Sequence, residues 1–243
     1  CANSLGSGSK GQFTSAGIQI TLPSNSTTDI HAIATDIYGN VSSCGFLMTF
    51  IHNTIPPNNP VFSATSPLSP NAISTSPLIL GSSSAPVTSQ LPVSKIMIYD
   101  NSFCTNKVGQ GTPVEFSGAG IIANVSADNV TALYAKAFDD ANNGSMCTLM
   151  TNYTHDSYKP GKPIFTSSTP TTPSFTKNVK IKGVFGASSD FLNRTSVGIY
   201  TDSSCSSLLT SGSPIDYENA GIDVVLPSNV TTSLYAATIN EVS

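Results

Sequence analysis

Apolar and polar residues alternate in short segments of the chain, as they do in half-buried β-strands. The alternation is clearest in IHAIATD (30–36), LYAKAFD (133–139) and LYAATIN (234–240). One set of alternate positions holds Ile or Leu and then Ala, whereas a position between them holds residues as different as Lys136 and Ala237. A position that accepts such different side chains faces water. We therefore expect the other set to point into a core: Ile30, Leu133 and Leu234, and two positions later Ala32, Ala135 and Ala236.

A second family of segments has the same period of two. Its members are FTSAGIQITLPSN (13–25), FSGAGIIANVSAD (116–128) and YENAGIDVVLPSN (217–229). The pattern predicts that Ile18, Ile121 and Ile222 point inward and that Gln19, Ile122 and Asp223 point outward. Turn residues separate such runs, and we expect positive φ at Gly39 and at the Asn142–Asn143 pair of the next repeat.

These segments belong to an internal repeat. Sliding the chain by 103 positions places Cys1 on Cys104 and Cys44 on Cys147, and a slide of about 101 takes Cys104 to Cys205. The surrounding sequence follows in register, so the period is that of one structural unit.

The cysteine spacing predicts disulfides. Cys1 and Cys44, like Cys104 and Cys147, lie 43 positions apart, and we expect each pair to form one bond. The partner of Cys205 is expected beyond residue 243, in a polypeptide that also begins before Cys1; a free thiol or an intermolecular bond are the alternatives. Disulfides in every repeat indicate an oxidising compartment, so we expect a secreted or cell-surface protein.

Charge and hydropathy exclude several classes of partner. Ten basic and fourteen acidic residues give a net charge of −4, and neither sign is clustered. Nucleic acid requires clustered Lys and Arg, and so does an anionic membrane surface. The longest apolar run, GFLMTFI (45–51), is too short to span a bilayer. We therefore expect no nucleic-acid partner and no membrane insertion in this segment.

The strand spacing and repeat length predict an all-β fold of tandem immunoglobulin-like antiparallel β-sandwiches, each with one disulfide. Charged residues are only 10 % of the chain, while Ser and Thr number 65, which suits strands with hydroxyl-rich outer faces. Proline-rich segments at 54–60 and 156–163 mark the boundaries and are typical of semi-rigid spacers. The predicted domains are the C-terminal part of one at 1–54, a complete one at 55–157, and one at 158–243 that lacks its last strand.

Two motifs resemble a known family. AIATDIYGNVSSC (32–44) and GIYTDSSC (198–205) are similar to segments of the tandem bacterial immunoglobulin-like (Big-type) repeats of large surface adhesins and fibre proteins, in which an A-x-D-x-x-G-N hairpin precedes the last strand. The middle repeat has Asn142 where this hairpin has Gly39. The resemblance implies an extracellular stalk and carries no catalytic residues.

Candidate chemistry is sparse. His52 and His155 occupy equivalent positions near the two boundaries; we interpret them as packing residues, with a junction metal site as the alternative. Asp139 and Asp140 offer fewer oxygen ligands than calcium needs. We found no nucleophile motif or phosphate loop. The sequence therefore predicts no enzyme, no catalytic residues, no metal and no cofactor.

The leading hypothesis is a structural repeat segment of an extracellular fibre or adhesin stalk, whose partners are other copies or further repeats of the same chain. One alternative is a module that recognises a glycan or protein of a host or prey surface, with loops 81–91 and 185–191 as the variable candidates. The other is a filament subunit that a strand from its neighbour completes.

Overall fold

Most of the alternating segments contain strands, although residues 15–25 form none. The computed structural model, which describes residues 1–190 and 192–241, is all-β with three short helices. The described strands are β1 (Ser26–Ala32), β2 (Gly45–His52), β3 (Val61–Ser66), β4 (Leu78–Ser82), β5 (Val93–Tyr99), β6 (Lys107–Gly111), β7 (Ile121–Ile122), β8 (Asn129–Asp139), β9 (Thr148–His155), β10 (Pro163–Thr169), β11 (Asn178–Phe185), β12 (Arg194–Tyr200), β13 (Leu208–Gly212), β14 (Ile222–Val225) and β15 (Tyr235–Asn240). The helices are α1 (Lys10–Thr14), α2 (Pro113–Ser117) and α3 (Pro214–Glu218).

The strands form several antiparallel sheets whose order recurs along the chain. The sheet β3-β4-β7 is matched by β10-β11-β14, and the order β6-β5-β8-β9 is matched by β13-β12-β15. The strands β1 and β2 pair with each other, antiparallel. Matched strands lie about one sequence period apart, so the repeat in the sequence is a repeat in the fold.

The predicted inward and outward positions are confirmed in part: Ile18, Ile30, Ala32, Leu234 and Ala236 are only half-buried, and Lys136 and Ala237, expected to face water, are half-buried as well. Leu133 and Ala135 of β8 are fully buried, and Ile121 and Ile222 are buried next to the exposed Ile122 and Asp223. The turn prediction also holds, since Gly39 and Asn142 both adopt positive φ.

The three short helices were not identified from the sequence. Each has five residues and begins with a capping box, in which a Ser or Thr at the N-cap and a side chain three residues later satisfy each other's backbone N–H groups. A helix of so few residues completes less than two turns and therefore shows no 3.6-residue period. α2 and α3 each bury one aromatic side chain, Phe116 and Tyr217.

The chain divides into two compact units. The first comprises Cys1–Ala64, Ile79–Ala123 and Leu133–Thr151, and the second comprises Thr65–Leu78, Asn124–Ala132 and the chain from Asn152 onward. Ile79, Ile96, Ile98 and Phe116 are among the fully buried side chains of the first unit.

In the second unit, two sheets share one hydrophobic cluster. Ile222 and Val224 come from β14, Val197 and Ile199 from β12, and Tyr217 from α3. The domain boundaries derived from the sequence remain a prediction.

Both predicted cysteine pairs are disulfides. Cys1–Cys44 and Cys104–Cys147 have Cα–Cα distances of 5.9 and 5.8 Å. Cys104 lies in the loop between β5 and β6, and Cys147 directly precedes β9. The thiol of Cys205 is free and half-buried. Its expected partner beyond residue 243 remains a prediction.

Candidate functional site

Residues at and just after the ends of β2 and β9 form two similar polar arrangements. At the first, the backbone N–H of Asn25 donates to Nδ1 of His52 at 2.9 Å. At the second, the N–H of Asp128 donates to Nδ1 of His155 at 3.0 Å. Asn25 and Asp128 both have positive φ, near +50°. Because Nδ1 accepts a hydrogen bond in each case, both imidazoles are assigned as the neutral Nε2–H tautomer.

The side chains of the same two residues hold the start of the following segment. Oδ1 of Asn25 accepts from the N–H and hydroxyl of Thr54, at 2.8 and 2.9 Å. Oδ1 of Asp128 accepts from the N–H and hydroxyl of Ser157, at 2.7 and 2.8 Å. The loop before β1 or β8 is thereby fastened to the end of β2 or β9.

These hydrogen bonds also set the charge state of Asp128. The N–H of Ser157 and then its hydroxyl stabilise the carboxylate and lower the pKa of Asp128 below its ordinary value. The Asp128 carboxylate lies 3.4 Å from His155 Nδ1.

In the structure, Nδ1 of each histidine accepts a backbone hydrogen bond, and their interpretation as packing residues remains a prediction. The described residues contain no group of three or more His, Cys, Asp or Glu side chains placed to hold a metal ion. The metal alternative for His52 and His155 therefore receives no support from the geometry.

A buried amide–carboxylate pair lies at what we call the first junction, residues 53–60 after β2; the second junction is residues 156–163 after β9. Asn53, directly after β2, donates from Nδ2 to Oδ2 of Asp139 at 2.7 Å, and both side chains are buried. Asn143 donates from Nδ2 to the same Asp139 oxygen and to the backbone carbonyl of Asn53, at 2.9 and 2.8 Å. The end of β2 is thus joined to the hairpin that follows β8, and Asp139 is committed to this network.

The proline-rich segment after Asn53 is held as well. Asn58 donates from its N–H and Nδ2 to the backbone carbonyl and hydroxyl oxygens of Ser84, each at 3.0 Å. The amide oxygen of Asn59 accepts from the N–H of Met146 at 3.1 Å. The segment is therefore anchored at two points, as a semi-rigid spacer requires.

The next repeat carries the same pair of residue types in reverse. One period after Asn53 stands Asp156, and one period after Asp139 stands Asn240; both side chains are buried. The two positions thus retain one amide and one carboxylate, with the roles exchanged. Asn240 also donates from Nδ2 to Asp190 at 3.1 Å. The repeat in the sequence already contained this signal. Sliding the chain by 103 positions places Asn53 on Asp156, and sliding it by about 101 places Asp139 on Asn240.

The hairpin motif that carries the family resemblance has a local explanation. Oδ1 of Asp36 accepts from the N–H groups of Tyr38 and Asn40, and Oδ2 accepts from Nδ2 of Asn40. These bonds, led by the Asn40 side chain, lower the pKa of Asp36. Asp139 and Asn143 repeat this geometry. The D-x-x-x-N spacing is therefore a turn-forming unit.

The suspected ligand loops differ in how the structure holds them. In the loop 81–91, Val87 is fully exposed, while the Ser89 hydroxyl accepts from Nδ2 of Asn53 at 3.2 Å. In the loop 185–191, the Ser188 hydroxyl donates to the carbonyl of Lys159; Phe191 lies outside the described residues. Neither arrangement indicates a ligand.

The comparisons with known proteins leave the class of the protein open. No protein-family model matches the chain, and no curated protein matches it. Among the described residues, no helix has the length and apolar character needed to cross a membrane. The resemblance to bacterial immunoglobulin-like repeats therefore remains a prediction from its motifs.

Proposed function

We propose that this chain is a structural repeat segment of an extracellular fibre or adhesin stalk, built from tandem immunoglobulin-like sandwiches. The observation that carries the proposal is the first junction, where Asn53 joins the end of β2 to Asp139 and Asn143 through buried hydrogen bonds. Consecutive domains move relative to each other unless their interface holds them. Under the predicted domain boundary at 54–60, these bonds lie between consecutive domains and restrain that motion, as a stalk requires.

The sheet order supports the sandwich assignment. Three strands in the order β3-β4-β7 and four in the order β6-β5-β8-β9 give seven strands in two sheets, the number and grouping found in immunoglobulin-like domains. The recurrence of both orders in β10-β11-β14 and β13-β12-β15 supports a tandem array.

The disulfides support the extracellular location. Two are present in the described residues, each closing a loop with a sequence separation of 43. Such bonds persist in oxidising environments and are rare in reducing ones. The surface chemistry agrees, because hydroxyl side chains are abundant and charges are few.

Antibody access on intact source cells tests the proposal. Antibodies raised against the folded chain should bind unpermeabilised cells, and gold labelling should place the epitopes away from the outer surface. Labelling that requires permeabilisation would contradict the proposal. An antibody to a cytoplasmic protein provides the control for cell integrity.

A further inference from the structure

The lysines of the segment 55–157 all belong to one sheet. Lys95 lies in β5, Lys107 in β6 and Lys136 in β8, and the sequence of this segment contains no other Lys or Arg. The sheet β6-β5-β8-β9 therefore contains every basic side chain of the segment. The sequence alone does not show this cluster, because the pairing of the strands brings the three positions together.

The three lysines point to the outer face of this sheet. Ile96 of β5 and Ala135 of β8 are fully buried, and the lysines next to them in the strands point the opposite way. Lys107 lies directly opposite Tyr99, which is on the same side of β5 as Lys95. We call this surface the lysine face and define it by six residues: Lys95, Tyr99, Lys107, Tyr134, Lys136 and Phe138.

The lysines occupy three successive rows across the sheet. Each is paired with a residue of a neighbouring strand: Lys107 with Tyr99, Lys136 with Met97, and Lys95 with Phe138. Positions two residues apart in a strand are about 7 Å apart. The lysine face therefore presents one positive charge per row, over a length of about 14 Å.

No carboxylate forms an ion pair with these lysines in the described part of the chain. Nζ of Lys95 and Nζ of Lys136 lie 5.2 and 5.4 Å from the centre of the Phe138 ring, so two ammonium groups share one ring. Lys95 also donates to Oδ1 of Asn142 at 3.2 Å, and Lys107 donates to Oε1 of Gln110 at 2.7 Å. Since these partners are uncharged, the positive charges repel one another, and negative groups of a ligand would relieve that repulsion.

The next repeat shows that such a sheet forms without the lysines. Its β12 pairs with β13 and β15 in the same register, and Tyr200 lies opposite Tyr235 as Tyr99 lies opposite Tyr134. The positions equivalent to the three lysines hold uncharged residues: Ser196, Leu208 and Ala237. The fold of the sheet therefore does not require the three charges.

We propose that the lysine face binds a linear acidic polysaccharide that carries carboxylate or sulfate groups at intervals along its chain. The three lysines bind the acidic groups. The rings of Tyr134 and Phe138, which are half-buried on the same face, contact the apolar faces of the sugar rings. This site uses none of the residues of the loops 81–91 and 185–191.

The disulfides favour this class of ligand over nucleic acid. They indicate an oxidising compartment, where a protein meets the acidic polysaccharides of cell surfaces. Nucleic-acid binding typically uses about 6–10 phosphate contacts, more than three lysines supply. The proposal does not depend on the stalk proposal, because polysaccharide binding is measured on the isolated chain.

Calorimetric titration of the full chain tests the site with two acidic polymers. Polygalacturonate carries carboxylates and dextran sulfate carries sulfates, so the two titrations distinguish the acidic groups; uncharged dextran is the control. We expect at least one acidic polymer to bind, more weakly as salt is raised, because salt screens exposed charges. Failure of both, or equal binding of dextran, would overturn the proposal. So would tighter binding of a single-stranded oligonucleotide or of phosphatidylserine vesicles.

A charge-matched pair of variants separates the lysine face from the net charge of the chain. Lys95→Gln/Lys107→Gln/Lys136→Gln should raise Kd on the order of tenfold or more, because three charge contacts are lost. The control Lys10→Gln/Lys159→Gln/Lys177→Gln removes three exposed lysines outside this sheet and should bind like the wild type. Lys95→Arg/Lys107→Arg/Lys136→Arg, which keeps the charges, should retain binding. Equal losses in the two glutamine variants would overturn the proposal.

Discussion

Single side chains at the first junction join segments that are far apart in the sequence. Asn53 and Asp139 are 86 positions apart, and nothing in either local sequence predicts that they meet. Only the exchange of Asn and Asp at Asp156 and Asn240 hints at a pair. A buried carboxylate is stable where its hydrogen bonds replace the lost water. The junction therefore depends on a few specific atoms.

Exchanging Asn53 and Asp139 tests whether their hydrogen bond stabilises the fold. Asn53→Ala should lower the free energy of unfolding by about 1–3 kcal/mol, because Asp139 stays buried and loses a donor. Asn53→Asp should cost more, since it places two carboxylates together. The exchange Asn53→Asp/Asp139→Asn should recover most of the loss. Urea denaturation measures all three variants.

The control for that experiment is Asn106→Ala. Asn106 is exposed and donates to Asp100 at 2.6 Å, so its loss should change the free energy of unfolding by no more than about 0.5 kcal/mol. A double exchange as unstable as Asn53→Asp alone would show that the pair is not interchangeable.

The stability of the second junction, where Asp128 holds Ser157 after β9, is expected to depend on pH. Its pKa is lowered in the folded state, so its contribution to stability is present above the ordinary value of 3.8 and is lost as the pH falls through the folded-state pKa. In Asp128→Asn, the unfolding temperature should fall less between neutral pH and about pH 3. Asparagine accepts the same bonds without titrating, as Asn25 does. Thermal melts at a series of pH values measure this.

Asp140, whose carboxylate is exposed, provides the matched control for Asp128. Asp140→Asn should leave the acid sensitivity of the wild type unchanged. If Asp128→Asn and the wild type lost stability equally on acidification, the carboxylate of Asp128 would not be the group responsible.

Among the elements, strands were predictable and short helices were not. In β8 and β14 apolar and polar residues alternate over several positions, because one face of each strand meets the core and the other does not. α2 has too few residues for a helical period, although its Thr112–Glu115 capping box could have indicated its start.

Gly81 and Gly183 lie at strand positions where neighbouring atoms leave no room for a side chain. A Cβ on Gly81 would overlap the backbone oxygen of Val61 as well as the Phe116 ring, and one on Gly183 would overlap the Tyr217 hydroxyl and the backbone oxygen of Ile164. Gly81→Ala and Gly183→Ala should each lower the free energy of unfolding by about 1–3 kcal/mol through overpacking. Calorimetry measures the shift.

Gly11→Ala in α1 provides the control, since its Cβ would meet only the Ser9 hydroxyl at 3.8 Å. We expect no loss of stability there, because alanine has the higher helix propensity. Destabilisation at Gly11 equal to that at Gly81 would argue against the overpacking explanation.

The disulfide Cys104–Cys147 predicts a large contribution to stability. Its sequence separation is 43, so the chain-entropy account gives about 4 kcal/mol. Cys104→Ser/Cys147→Ser should therefore lower the free energy of unfolding by a substantial share of the total. Cys205→Ser, which removes a free thiol, is the control and should leave stability nearly unchanged. Equal effects in the two variants would contradict this account.

At the scale of the whole chain, the same local geometries recur from one repeat to the next. The capping boxes of α1, α2 and α3 recur, and so do the positive-φ residues Cys104 and Cys205. The period was predictable because the cysteines mark it, whereas the junction contacts were not. The stalk proposal rests on consecutive repeats being joined by ordered junctions.

Small-angle X-ray scattering of the chain in solution tests this claim most directly. A compact globule of this length would have a radius of gyration of about 18 Å. The stalk proposal predicts a clearly larger value and an elongated distance distribution, with the variant Asn53→Ala more flexible than the control Asn106→Ala. A radius near that of the globule, or identical profiles for the two variants, would contradict it.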